Sequence, residues 1–101
     1  MKLILLAKNL SGKVITGDFN TGPASAPYRT LLAEPSPAAS SPHDVFRAAH
    51  PVATRKEGTV HFFTGWSGGL RMDWILASSH FQTIDAGIDH TRGPGGYPSD
   101  H

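Results

Sequence analysis

Short apolar runs alternate along this chain with long connectors rich in glycine, proline and serine. The opening "MKLILLAKNLSG" carries Leu3, Leu6, Ala7 and Leu10 at helical spacing, followed by Gly12. That spacing predicts the last turns of a helix closed by the glycine. In "KVITGDFN" the β-branched core Val14-Ile15-Thr16 lies between glycines, which predicts a buried strand ending at Gly17 or Asp18. "SAPYRTLLAE" offers Ser25 as an N-cap, a proline in the first turn, and Tyr28, Leu31 and Leu32 on one helical face. Residues 35–42, "PSPAASSP", read as a surface loop. "SPHDVFRAAH" then predicts a short helix with Ser41 as cap, Pro42 at its first position and Asp44 two residues on. Three strands complete the pattern: "GTVHFF" (58–63), "LRMDWILAS" (70–78) and "HFQTIDAGID" (80–89). The glycine cluster "TGWSGG" suits a hairpin turn, and "HTRGPGGYP" a flexible loop. Helical segments come early and strands come consecutively, which favours a mixed α/β arrangement over a doubly wound parallel sheet.

Composition narrows this picture. At 101 residues the chain makes one domain at most and sits near the lower size limit for a self-sufficient core. With 39% apolar and 17% charged residues it is neither a disordered polyelectrolyte nor a membrane protein. A net charge of +1 supplies no field that would hold a nucleic-acid backbone non-specifically. Zero cysteine removes disulfide scaffolds, thiolate metal sites and cysteine nucleophiles. The apolar stretch Leu3–Ala7 is shorter than a secretory signal's core of about 7–15 residues, and no segment reaches membrane-spanning length.

Polar residues at strand ends carry the candidate chemistry. If the strand of "GDFN" ran through Asn20, Asp18 and Asn20 would project to one side, with Phe19 anchoring the other. Such a pair can serve a reaction, or it can be an Asx-turn that merely ends the strand. In "RMDWIL", alternation puts Arg71, Asp73 and Ile75 on one face and Met72, Trp74 and Leu76 on the other. An aspartate within an apolar strand needs a partner. Arg71 would make a structural pair, whereas a histidine would be oriented and held in one tautomer. In the closing "SDH", Asp100 can ligate a hard cation through oxygen, and His101 can donate to an anionic oxygen or move a proton. His43, His50, His61, His80 and His90 show no paired spacing of the His-x-x-x-His kind, so nothing indicates zinc.

Taken in order, "VITGDFN", a "GT" ahead of a strand, "RMDWILAS" and "YPSDH" resemble the C-terminal half of the endonuclease/exonuclease/phosphatase superfamily. Its members are magnesium-dependent phosphoesterases, among them abasic-site endonucleases, DNase I-like nucleases, deadenylases, inositol-polyphosphate phosphatases and sphingomyelinases. The resemblance covers nearly the whole chain. It implies that Asp18 orients or deprotonates the attacking water and that Asn20 helps place water and phosphate. It further implies that Asp73 hydrogen-bonds the catalytic histidine, that His101 contacts the scissile phosphate, and that Asp100 belongs to the metal region. The implied cofactor is Mg2+ or Mn2+.

The family fold is a four-layer α/β/β/α sandwich with mixed, mainly antiparallel sheets. Residues 1–101 match its second half, so the expectation is a partial domain lacking the N-terminal half, with its metal-binding asparagine and glutamate, and the final strand. A half-sandwich would expose the inner face of its sheet, and on that reading the chain neither folds stably alone nor turns over substrate. The substrate class expected is a phosphate ester. The light charge leaves nucleic acid open without favouring it, because Arg29, Arg47, Arg55, Lys56, Arg71 and Arg92 are scattered. The alternative reading is a non-catalytic binding or assembly module that keeps the motif residues for structure.

Overall fold

A computed structural model of the chain describes residues 2–7, 12–32 and 42–101. The elements are β1 (Lys2–Ala7), β2 (Val14–Asp18), α1 (Ala26–Leu32), β3 (Pro42–Asp44), α2 (Val45–Ala49), β4 (Asp73–Ser78) and β5 (Phe81–Gly87). They form two antiparallel sheets, a ribbon β1-β5 and a three-stranded sheet β2-β4-β3. The architecture is mixed α/β with antiparallel strands, as the pattern predicts.

Residues 2–7 are a strand and not the end of a helix. A short run such as "LILLA" fits either period, and pairing with β5 from Lys2↔Gly87 to Ala7↔Phe81 decides it. Leu10 lies outside the described residues, as does the predicted loop up to residue 41. β2 forms where expected, but its five residues are exposed and not buried. Among the described residues it is an edge strand, laddered with β4 from Val14↔Ala77 to Asp18↔Asp73. α1 starts as the sequence suggests: the Ser25 Oγ accepts the Tyr28 N–H at 3.4 Å, and the Ser25 carbonyl accepts the Arg29 N–H at 3.1 Å.

The predicted helix capped at Ser41 is instead a strand followed by a shorter helix. Pro42 to Asp44 pair with Ser78 to Leu76 of β4. Asp44 is the cap, its Oδ1 accepting the N–H groups of Phe46 and Arg47 at 3.1 and 3.3 Å. Proline suits this edge position because no ladder donor is needed there. α2 lays Val45 and Phe46 against β4 and β5, making a core with Ala77 and Ala86, which Ile75, Phe81 and Ile88 flank.

The predicted strand over 58–63 is irregular, and regular pairing in the next segment begins only at Asp73. Phe62 and Phe63 adopt left-handed φ values of 51° and 63°, which no strand accommodates. The segment folds back on itself instead. Gly58 N–H donates to the Ser67 carbonyl at 2.9 Å, and Thr59 N–H to the Leu70 carbonyl at 3.0 Å. A Cβ on Gly58 would stand 2.8 Å from the backbone of Gly69, so glycine is needed for the two strings to approach.

Candidate active site

Asp18 ends β2 and Asp73 begins β4, and the two are directly opposite in the antiparallel ladder. Like charges facing each other across a ladder repel. His101 is set against both. Its Nδ1 lies 2.7 Å from Asp73 Oδ2, and its Nε2 3.7 Å from Asp18 Oδ2. The 2.7 Å contact is a hydrogen bond; the 3.7 Å separation is an ion-pair distance too long for one. Asp73 and His101 have side chains about a third exposed, at 33% and 28%, so the imidazole meets solvent.

The hydrogen bond to Asp73 holds the His101 imidazolium in favour, raising its pKa above the ordinary 6.5 against partial desolvation. The charges of Asp73, Asp18 and Asp100 push the same way. Histidine between two carboxylates therefore tends to carry its proton to higher pH than a free imidazole.

Each flank of this constellation has a structural support. Thr59, buried, accepts the N–H groups of Met72 and Asp73 on its Oγ1 at 2.9 and 3.1 Å, fixing the start of β4. The "GT" of the sequence thereby acquires a physical meaning, since the glycine allows the close approach and the threonine aims Asp73. Phe19 donates its N–H to the Met72 carbonyl at 2.9 Å and stacks on Trp74, with ring centroids 4.4 Å apart. Tyr28 meets the same indole edge-on at 5.1 Å. The Trp74 Nε1–H in turn donates to the Arg71 carbonyl at 2.7 Å.

Arg71 does not pair with Asp73. It makes a buried, two-pronged ion pair with Asp44, with Nη2 to Oδ2 at 2.5 Å and Nη1 to Oδ1 at 3.2 Å. Its guanidinium carbon lies 4.9 Å from the Phe46 ring centroid. The Tyr28 hydroxyl donates to the same carboxylate at 2.7 Å. Burial alone would raise the Asp44 pKa, but the hydrogen bonds from Arg71 and Tyr28 outweigh it and hold the carboxyl below its usual range. Burial and the Asp44 hydrogen bond push the Tyr28 hydroxyl up to about 12. Strand alternation could not find this split, because Arg71 precedes β4 and is free to turn away from Asp73.

Asn20 is not on the strand. β2 stops at Asp18, whose Oδ1 accepts the Asn20 N–H at 3.0 Å, and Asn20 has a left-handed φ of 54°. The Asx-turn and the candidate site position are thus the same feature, since the turn leaves the second Asp18 oxygen to face His101. Asp100 enters through its backbone carbonyl, which accepts the His61 N–H at 2.7 Å.

Beside the dyad is a cavity of about 270 Å³ whose wall includes Thr59, His61, Asp73, Asp89, His90 and His101. His61, His90 and Asp89 are not among the residues the sequence motifs single out. Isolated histidines at unrelated spacings give no signal until the fold gathers them.

Among the described residues, Asp18, Asp73 and His101 are the carboxylate–imidazole group whose donor atoms all lie within 4.8 Å of one another. The donor chemistry suits a proton better than a hard cation. Magnesium takes oxygen ligands, and here one donor is a nitrogen already hydrogen-bonded to one of the two carboxylates.

The antiparallel α/β frame thus carries two strand-end carboxylates with a histidine set between them. The family model for the endonuclease/exonuclease/phosphatase family matches residues 3–101, and the chain belongs to that family. Members of that family are typically hydrolytic and generally use divalent metals, which suggests a phosphoesterase or nuclease kind of function. Curated proteins and solved structures return no match.

Proposed function

We propose that this chain carries the proton-handling half of a divalent-metal-dependent phosphoesterase that hydrolyses a phosphodiester or phosphomonoester by in-line attack of water. The observation that carries this reading is the Asp73–His101–Asp18 constellation, with its 2.7 Å hydrogen bond and its 3.7 Å gap. Asp73 fixes the imidazole by its Nδ1, leaving Nε2 for a phosphoryl oxygen. The Asp73 hydrogen bond raises the His101 pKa and so favours the form whose Nε2 donates, which would stabilise charge building on the phosphoryl oxygens. Asp18, across the gap, orients the water and accepts its proton as the new P–O bond forms, and as the ester bond breaks the leaving oxygen takes a proton from solvent. Asn20, at the mouth of the same turn, helps place water and phosphate.

The proposed cation is Mg2+ or Mn2+, and Asp100 is the residue of this chain that would hold it. Magnesium commonly binds through one or two carboxylates, with water and substrate phosphate filling the remaining positions. When bound it neutralises the phosphoryl oxygens. The remaining protein ligands would come from the rest of the same domain, which we infer completes a four-layer sandwich around these sheets.

The test is hydrolysis of bis-p-nitrophenyl phosphate by the full-length protein. Activity should need magnesium, disappear with a chelator, and disappear in Asp18→Asn and His101→Ala. Retained activity in either variant removes the role assigned to that residue. An inert wild type across abasic DNA, poly(A), inositol phosphates and sphingomyelin favours the binding-module reading.

A further inference from the structure

We propose that His61 is a second substrate-contacting histidine of this site, a neutral imidazole that donates its Nε2–H to an oxygen of the bound phosphoryl group. This rests on the phosphoesterase reading and adds to it a residue that no sequence motif supplies. Three histidines border the cavity beside Asp73, and their hydrogen bonds set them apart. His101 is committed to Asp73. His90 places its Nε2 3.4 Å from the Gly58 carbonyl, so the proton of a neutral ring is used there. The nearby Asp89 is also engaged, its Oδ1 accepting the Thr91 N–H at 2.8 Å.

His61 is held the other way round. Its Nδ1 accepts the Gly65 N–H at 3.4 Å, so the neutral ring carries its proton on Nε2. Nε2 has no partner among the described residues and is not sealed from solvent, although the residue as a whole is buried at 8% exposure. A buried ring that lines the cavity, with one nitrogen tied to the backbone and the other without a partner among the described residues, has a donor to offer a ligand there.

The backbone around it is shaped to that end. Phe62, Phe63 and Gly65 have φ values of 51°, 63° and 76°, a left-handed winding that brings the Gly65 N–H back over the His61 ring. Non-glycine residues in that region cost about 1–3 kcal/mol each and collect at functional positions. The His61 ring is fixed by Tyr97, 4.6 Å away between centroids, and by Phe63 edge-on at 6.5 Å. A Cβ at Gly65 would lie 2.0 Å from the Tyr97 hydroxyl oxygen, so this packing admits only glycine. Its main chain is also tied to the reactive end, the His61 N–H donating to the Asp100 carbonyl at 2.7 Å.

The test separates the two ring nitrogens. In His61→Gln the side-chain amide N–H reaches the Nε2 position; in His61→Asn the amide oxygen replaces Nδ1 and the outer donor is lost. Inorganic phosphate binding to the full-length protein is measured by calorimetry, with and without magnesium, alongside thermal unfolding. Phosphate should bind on the order of tenfold more weakly to His61→Asn, as expected for a lost hydrogen bond to a charged group, and close to normally to His61→Gln. Thermal unfolding should rank the variants the opposite way, because asparagine keeps the Gly65 bond. Wild-type binding in both variants, equal weakness in both, or a wild type that does not bind phosphate overturns the proposal. Loss of the phosphoesterase reading would show separately, as hydrolysis persisting in His101→Ala.

Discussion

Arg71 and Asp73 are two residues apart, and each holds one end of a charged pair. Arg71 and Asp44 have side chains 1% and 3% exposed, and the carboxylate they share with Tyr28 has every oxygen occupied. Asp73 and His101 are about a third exposed, and His101 faces a second carboxylate too far away to bond directly. The first pair joins a permanent cation to a depressed carboxyl and has no protonation change to offer near neutrality. The second joins a carboxylate to the one side chain that titrates there. What separates the structural pair from the pair proposed as reactive is not the presence of opposite charges. It is whether the cation is a side chain that titrates near neutrality and whether a ligand can reach it.

The largest expected effect falls on the reactive pair. His101→Ala should lower hydrolysis by about 10³-fold or more, as expected when a charge-stabilising donor is removed, while urea unfolding moves little. Arg71→Ala should do the reverse, costing about 3–5 kcal/mol of unfolding free energy because it leaves Asp44 buried and unpaired. A variant that loses both properties equally would erase the distinction. Asp73→Asn comes next: turnover should fall roughly 10²-fold as the ring loses its orienting carboxylate charge. In imidazole NMR titrations its His101 midpoint should drop back toward 6.5, since the Asp73 bond is the leading cause of the elevation. Tyr28→Phe should be the mildest, about 1 kcal/mol for one hydrogen bond, with activity retained.

The two pairs also predict opposite pH signatures. The folded-state pKa of His101 is raised, so its contribution to stability is complete below 6.5 and fades as pH rises through the folded value. Asp44 is depressed, so its contribution is complete above 3.8 and is lost as pH falls through the folded value. Arg71→Ala should therefore flatten the acid limb of a stability–pH curve, and Asp73→Asn the limb just above neutrality.

How much of this could be read from residue order depends on how local each cause is. α1, β4 and the strand ending at Asp18 were legible because a serine cap, an alternating apolar run and a β-branched triplet act within a few residues. β1 was not, since its assignment depends on a strand some eighty residues away. The 58–63 segment has strand-like composition, yet its hydrogen bonds go to Ser67, Leu70 and Asp100, and two phenylalanines wind left-handed. Tertiary context overrides propensity there. Among candidate site residues, the structure gathers Asp18, Asp73 and His101, all carried by ordered motifs. Thr59 was visible only as the "GT" ahead of a strand, and His61 and His90 stayed hidden because loop geometry that no spacing encodes brings them to the cavity.

The β1-β5 ribbon joins residue 2 to residue 87, with a register shift between Ile4 and Leu5. Such a pairing must close a long stretch of chain before any of its contacts is rewarded, so contacts of this separation form slowly. The β2-β4-β3 sheet, with α2 packed on β4 and β5, can assemble without β1. β1 should be the last element to lock and the first to open, with amides of residues 2–7 exchanging with deuterium ahead of those in β4. The chain would then reach its reactive pair before its outer edge has closed.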